Sequence, residues 1–321
     1  MKRVIVTGGS GFIGTNLMQR LQGDGIEAVN YDWVAPRDPS MAKLHILGDI
    51  LDRDSLSGAV KKFKPDVVIH LAARCDLNGA TIDDYEANTI GVKNVIKTIQ
   101  GTPSVARAIF ASSRYVHRNE EQPLKEDDYS PFTMYGASKA EGEKIVRASD
   151  LEMPWVIVRP TSIWGPWFDI PYRSFFDAVR KGWYVHPRGE ELYKSFGYVG
   201  NVVHQLCAMG VAAEHLLARK TFYVADYEPV EVRSMAERIR VEFSAPAVRE
   251  VPLQVMRGIA RIGDVCQAAG WKNPPLTSFR LSNLRSQMVY DLSATKGVVG
   301  GLPYSVEEGI ERTVGWMRCR N

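Results

Sequence analysis

Apolar residues in the first half of the chain come in short unbroken runs, separated by longer stretches where they recur every three or four positions. The runs Arg3–Thr7, Glu27–Tyr31, Leu44–Leu47, Asp66–Ala72, Arg107–Ser112 and Trp155–Arg159 predict β-strands. Val67-Val68-Ile69 shows no polar alternation, as strands covered on both faces require. The stretches between them predict helices at Phe12–Leu21, Arg53–Phe63, Asp83–Ile99 and Met134–Ala148. Regular alternation of strand and helix implies an α/β fold, a doubly wound parallel sheet with helices on both faces.

After Pro160 the alternation loosens. Pro166, Pro171, Pro187, Pro246, Pro252, Pro274, Pro275 and Pro303 punctuate shorter helical stretches. This half reads as a smaller, interleaved C-terminal substrate domain, with sheet elements such as Thr221–Ala225 returning to the first unit. The expected division is 1–166 with returning elements near 197–226, and 167–196 with 227–321. His117–Ser130, rich in Glu, Asp, Lys and Pro, is expected to be a surface loop.

The first strand runs into Thr7-Gly8-Gly9-Ser10-Gly11-Phe12-Ile13-Gly14, which opens the first helix. Gly8 permits a tight turn, Gly11 lets backbone approach a pyrophosphate, and Gly14 allows helix and sheet to pack closely. A helix N-terminus there offers N–H groups to phosphates. Together with the alternation, this loop makes the sheet Rossmann-type. Asp32 ends the second strand, where an acid accepts the hydroxyls of the adenosine ribose and repels a 2′-phosphate. The cofactor is therefore expected to be NAD, while Arg37 leaves room for NADP.

Tyr135-Gly136-Ala137-Ser138-Lys139 places a phenol and an ammonium four residues apart on one helix face. A free tyrosine titrates near pH 10, about three units too high for a base at neutrality. A neighbouring ammonium closes that gap of roughly 4 kcal/mol. Beside a dinucleotide, the pair handles a proton coupled to hydride transfer.

The bulk numbers narrow the field. A chain of 321 residues with 45% hydrophobic content has ample material for a core, and its net charge of +3 without a dense basic run argues against nucleic acid or an anionic membrane. Cys75, Cys207, Cys266 and Cys319 lack metal or redox spacing, so no metal site and no disulfide framework are expected. No segment has export or membrane-spanning length, and a cytoplasmic protein is expected.

Several ordered motifs resemble the extended short-chain dehydrogenase/reductase family, in its NAD-dependent epimerase/dehydratase branch acting on nucleotide sugars. They are the glycine loop, Gly48-Asp49-Ile50, His70-Leu71-Ala72-Ala73, Asn88-Thr89-Ile90-Gly91-Val92-Lys93-Asn94, Ser112-Ser113, Tyr135 with Lys139, and Arg159-Pro160-Thr161-Ser162. Tyr290-Asp291-Leu292-Ser293 and Leu302–Ile310 complete the match, which covers nearly the whole chain. The resemblance implies Ser113, Tyr135 and Lys139 as catalytic residues. It implies cofactor contacts from Gly8, Gly11, Phe12, Ile13, Gly14, Asp32, Asp49, Ile50, Leu71, Ala72, Ala73, Asn88, Tyr135, Lys139 and Pro160. Asn88 has either an ordering role or a place in a proton relay. A homodimer through Asp83–Ile99 and Met134–Ala148 is likewise implied.

Departures from the family pattern narrow the reaction. Where sugar dehydratases carry a carboxylate after the serine, this chain has Arg114 and Tyr115, so dehydration and decarboxylation are disfavoured. Val116-His117-Arg118 adds cationic groups read as solvated loop residues. Tyr198-Val199-Gly200-Asn201 resembles the hydroxysteroid dehydrogenase branch. Arg114, Arg188, Arg280 and Arg285 are candidates for a substrate's anionic groups. The leading expectation is an NAD-dependent epimerase inverting a ring hydroxyl, at C4, of a nucleoside-diphosphate sugar through a keto intermediate. The alternative is a reductase or dehydrogenase of a nucleotide-linked keto-sugar or a steroid-like alcohol. A dinucleotide-sensing protein without catalysis is a third reading, against which the complete Ser113, Tyr135 and Lys139 set weighs.

Overall fold

The computed structural model describes residues 1–119, 125–271, 274 and 276–320. Pro275 and the middle of the His117–Ser130 loop lie outside the described residues. Six strands of the first half, β1 (Arg3–Thr7), β2 (Glu27–Asp32), β3 (His45–Leu47), β4 (Val67–His70), β5 (Arg107–Ala111) and β6 (Trp155–Pro160), form one parallel sheet. Its order is β3-β2-β1-β4-β5-β6, and the strand Lys220–Val224 adds in parallel beside β6. The connecting helices are α1 (Phe12–Gly23), α2 (Arg53–Phe63), α3 (Glu86–Gln100) and α4 (Met134–Arg147).

Strand side chains alternate between two cores. Val4 and Val6 of β1 join Leu17, Met18 and Leu21 of α1 on one face, while Ile5 joins Leu56, Val60, Val92 and Val95 of α2 and α3 on the other. Both faces are covered, which is why these strands are uniformly apolar. Between β1 and β4 the strand order reverses, and in such sheets ligands bind outside the strand C-termini at that point. Thr7, Asp32, His70, Ala111 and Pro160 stand at that edge.

Two elements differ locally from expectation. β4 stops at His70 rather than Ala72, and Leu71–Ala73 leave the sheet to cross over the glycine loop. The stretch from Asp83 begins as a 3₁₀ turn, Ile82–Tyr85, started by a Thr81–Asp84 capping box, before α3 takes over.

The second half contributes helices α5 (Tyr172–Arg180) and α6 (Val199–Val211), then Val232–Phe243, Leu253–Ala268, Ser278–Arg285 and Val306–Cys319. Three short strand pairs staple it together: Ser162–Trp164 with Phe196–Tyr198, Tyr193–Lys194 with Val230–Glu231, and Val185–Pro187 with Arg249–Val251. Among the described residues, no helix is long and apolar enough to cross a membrane. All four cysteines are free.

Candidate active site

The cofactor cradle follows from the first turn of the sheet. Gly8 has φ +77°, and a Cβ there would sit 2.4 Å from the Ala72 nitrogen, so only glycine lets the 71–73 segment cross. At Gly14 a Cβ would fall 2.2 Å from the Gly8 carbonyl oxygen. Gly11 occupies the N-cap of α1 without a side-chain cap, leaving first-turn N–H groups for a phosphate. Asp32, nearly buried, accepts from the Ser10 N–H at 3.0 Å and the Val34 N–H at 3.2 Å. Each oxygen keeps lone pairs for a ribose hydroxyl. The donor set and the space suit a dinucleotide with an unphosphorylated adenosine ribose.

Arg37 does not wait for a 2′-phosphate. Its guanidinium donates to the Ser10 carbonyl at 3.1 Å and the Trp167 carbonyl at 3.0 Å, and pairs with Asp169 at 2.6 Å. Asn16 adds a bond to the Pro166 carbonyl at 2.9 Å. The cradle is thereby strapped to the 166–169 segment.

Ser113, Tyr135 and Lys139 come together at the C-terminal end of β5. Ser113 caps the short turn Arg114–Val116, its Oγ accepting from the Tyr115 N–H at 3.2 Å. Thr133 caps α4 and brings Tyr135 into its first turn. Burial raises the Tyr135 phenol well above its usual value and the Cys75 thiol beside it adds to this, while a hydrogen bond with Ser113 pulls the other way. The Lys139 Nζ donates to the Ala111 carbonyl at 2.9 Å, and burial pushes its own pKa down. Tyr135 is accordingly a neutral phenol, suited to giving a proton.

Asn88 is a latch. Its amide exchanges two 2.9 Å bonds with the Arg74 backbone and donates to Ser138 Oγ at 2.8 Å. It fixes the 73–75 segment, and with it Cys75, against α3 and α4. Ile50 packs against Gly91, where a Cβ would lie 2.5 Å from its Cδ1, and exposed Asp49 caps the Leu51 N–H at 2.9 Å. Leu71, Ala72, Ala73 and Pro160, partly exposed, flank the same strand-end edge.

Sequence reasoning missed the support beneath α4. Glu143, two turns beyond Tyr135, receives Arg159 through bonds of 2.8 and 2.7 Å, with both side chains buried. Arg159 also meets His117 Nε2 at 3.0 Å, and Tyr129 donates to Glu143 at 3.1 Å. His117 is therefore buried, stacked on Tyr129, and not a solvated loop residue. The signal was available: Lys139 and Glu143 share a helix face at i, i+4.

The four candidate substrate arginines stand in different surroundings. Arg114 is buried next to Ser113, with Tyr115 under its guanidinium. Arg188 is exposed, Arg280 donates to the Pro274 carbonyl at 2.7 Å, and Arg285 pairs with Glu190 at 2.9 Å.

Comparison with known proteins gives a family and a spread of activities. Residues 4–209 match the NAD dependent epimerase/dehydratase family. The chain is 30% identical over 260 residues to the 3-beta-hydroxysteroid dehydrogenase of Mycolicibacterium neoaurum, covering 74% of this chain and 69% of that protein. It is 28% identical over 333 residues to the 2-alkyl-3-oxoalkanoate reductase of Stenotrophomonas maltophilia, covering 97% and 98%. The UDP-glucose 4-epimerase of Thermus thermophilus, solved in complex with NAD, superposes with a TM-score of 0.72 at 22% identity over 98% and 99% of the two chains.

Proposed function

Because the chain belongs to the NAD dependent epimerase/dehydratase family, whose members are enzymes, we propose that it exchanges a hydride between NAD and a secondary alcohol or its ketone, with one cofactor used per turnover. The observation that carries this reading is the buried Tyr135 hydrogen-bonded with Ser113, at the strand end that abuts the cofactor cradle. The dinucleotide, when bound, would accept the hydride as NAD and supply it as NADH. The Gly8–Gly14 loop holds its pyrophosphate and Asp32 its adenosine ribose. Ser113 donates a hydrogen bond to the reacting oxygen and fixes its position. Tyr135 passes its phenolic proton to that oxygen as the ketone is reduced, and takes it back as the alcohol is oxidised. Lys139 places a positive charge behind the phenol.

The protein partners already held by two of the candidate arginines favour this reading over a nucleotide-sugar epimerase. A nucleoside diphosphate needs cations that face one another, and Arg280 and Arg285 are engaged with protein acceptors. The strap from Arg37 to Asp169 supports a second reading, in which NAD stays in place and a sugar hydroxyl is inverted at C4. Quantifying the dinucleotide released on denaturation separates them. Protein purified largely free of cofactor, which oxidises added NADH in the presence of a keto substrate, supports the dehydrogenase. Stoichiometric NAD with no net consumption supports the epimerase. Protein that binds neither NAD nor NADH overturns both.

A further inference from the structure

Two arginines are buried near the catalytic tyrosine, and among the described residues only Arg159 has a counter-charge. Arg159, 1% exposed, is paired in two places with Glu143. Arg114, 3% exposed, meets no carboxylate of the described residues within ion-pairing distance. Its Nη1 donates to Asn119 Oδ1 at 2.7 Å, the guanidinium also hydrogen-bonds Tyr290, and among the described residues its buried Nε has no partner. The groups facing it are phenols: Tyr115, 4.3 Å from guanidinium carbon to ring centroid, with Tyr172 and Tyr290.

Arginine does not deprotonate in proteins, so this charge must be met some other way. A buried charge met only by neutral groups is costly, and a ligand of opposite charge offsets that cost. The location says which ligand. Arg114 follows Ser113 directly, and the Tyr115 ring packs edge-on to Tyr135 at 5.8 Å between centroids. Tyr172 starts α5 and Tyr290 lies near the C-terminus, so both come from the half expected to hold substrate.

We propose that Arg114, with the hydroxyls of Tyr172 and Tyr290, binds a carboxylate of the substrate, making the substrate a hydroxy acid or oxo acid whose carboxylate lies close to the reacting carbon. One guanidinium balances one negative charge, and its planar fork matches the two oxygens of a carboxylate. A phosphate dianion would leave charge over. The carboxylate can belong to an open-chain 3-oxo acid or to a uronate ring, which share this relation of carboxylate to reacting carbon. The placement of the reacting carbon rests on the function proposed above; the anion site itself does not.

The test uses the NADH-loaded protein and matched neutral and acidic probes, 3-hydroxybutyrate against its methyl ester and glucuronate against glucose, titrated by calorimetry. Wild type is expected to bind at least one acid about 10- to 100-fold more tightly than its neutral twin, the range of a charge-assisted hydrogen bond. The pair that shows the preference tells an open-chain acid from a uronate. Arg114→Met should abolish the preference with NADH affinity unchanged, and Arg114→Lys should restore part of it. Should Arg114→Met not fold, the wild-type pairs and Arg114→Lys decide. Wild type binding each acid no better than its twin, or Arg114→Met keeping the preference, overturns the proposal. Acid preference without hydride transfer would sink the proposed function and leave the anion site standing.

Discussion

Glu143→Gln perturbs the site from below without touching any group expected to meet substrate. In the native protein the carboxylate takes bonds of 2.8 and 2.7 Å from Arg159 and one of 3.1 Å from Tyr129. Both side chains of the ion pair are almost wholly out of water. Removing one partner of a buried pair costs about 3–5 kcal/mol, because the other charge stays buried. The glutamine carbonyl still accepts one bond, so about 3 kcal/mol is expected here. At roughly 2–4 °C per kcal/mol for a chain of moderate size, Tm falls by about 5–10 °C. Urea denaturation of the wild type, Glu143→Leu, Arg159→Met and the double variant completes a cycle. The double variant should recover to within about 1 kcal/mol of wild type, since paired apolar replacements commonly do. Glu143→Gln within about 0.5 kcal/mol of wild type, the scale of ordinary surface substitutions, would refute the reasoning. A second readout concerns catalysis. The Glu143 charge raises the Lys139 pKa against the effect of burial, so Glu143→Gln should move any pH limb reporting Lys139 to lower pH.

Three further outcomes are expected. Gly14→Ala places a Cβ 2.2 Å from the Gly8 carbonyl oxygen and should weaken NAD binding at least about tenfold by calorimetry, on strain of about 1–3 kcal/mol; Gly23→Ala, in open space, serves as the matched control. Arg37→Ala cuts the strap to Trp167 and Asp169 and should speed NAD release in stopped flow by about tenfold, the worth of one charge-assisted contact. The pH dependence of stability carries two opposing groups. Burial raises Asp226 from 3.8 to about 6, so its contribution is full below the unfolded value and is lost as pH rises through 6. Burial first, then the Lys139 charge, lowers His70 from 6.5 to about 3, so stability falls as pH drops below 6.5. Asp226→Asn should therefore gain on wild type by about 3 kcal/mol between pH 4 and 6, measured by urea denaturation at each pH. A difference that stays constant over that range rules the Asp226 reading out.

The first half was legible because its signals are local. A strand covered on both faces reads as Val67-Val68-Ile69, and a dinucleotide turn needs glycines that no other residue replaces at Gly8 and Gly14. The second half was not, because its strand pairs join residues far apart, such as Val185–Pro187 with Arg249–Val251, which no local periodicity reveals. Polar residues misled in both directions. His117 sits in a stretch of charges yet is buried against Arg159, and Arg285, a candidate for a substrate's anionic group, has Glu190 as a partner that the sequence does not reveal. The Tyr135–Lys139 spacing puts both residues on α4 but says nothing of the forces on the phenol, among which burial is the largest. Spacing fixes which groups can meet; only the packed structure decides which partner each one takes.

Central to the proposed chemistry is that Tyr135 moves the proton that accompanies hydride transfer. Its most direct test is NADH oxidation by wild type and Tyr135→Phe, across a panel of 3-oxo acids and 4-keto sugars, with NADH affinity measured in parallel. Wild type should turn over at least one ketone, and Tyr135→Phe should bind NADH equally well but lose the rate by about 100-fold or more, the usual contribution of a positioned acid. Undiminished turnover in Tyr135→Phe, or a wild type that binds NADH and reduces no member of the panel, would contradict it.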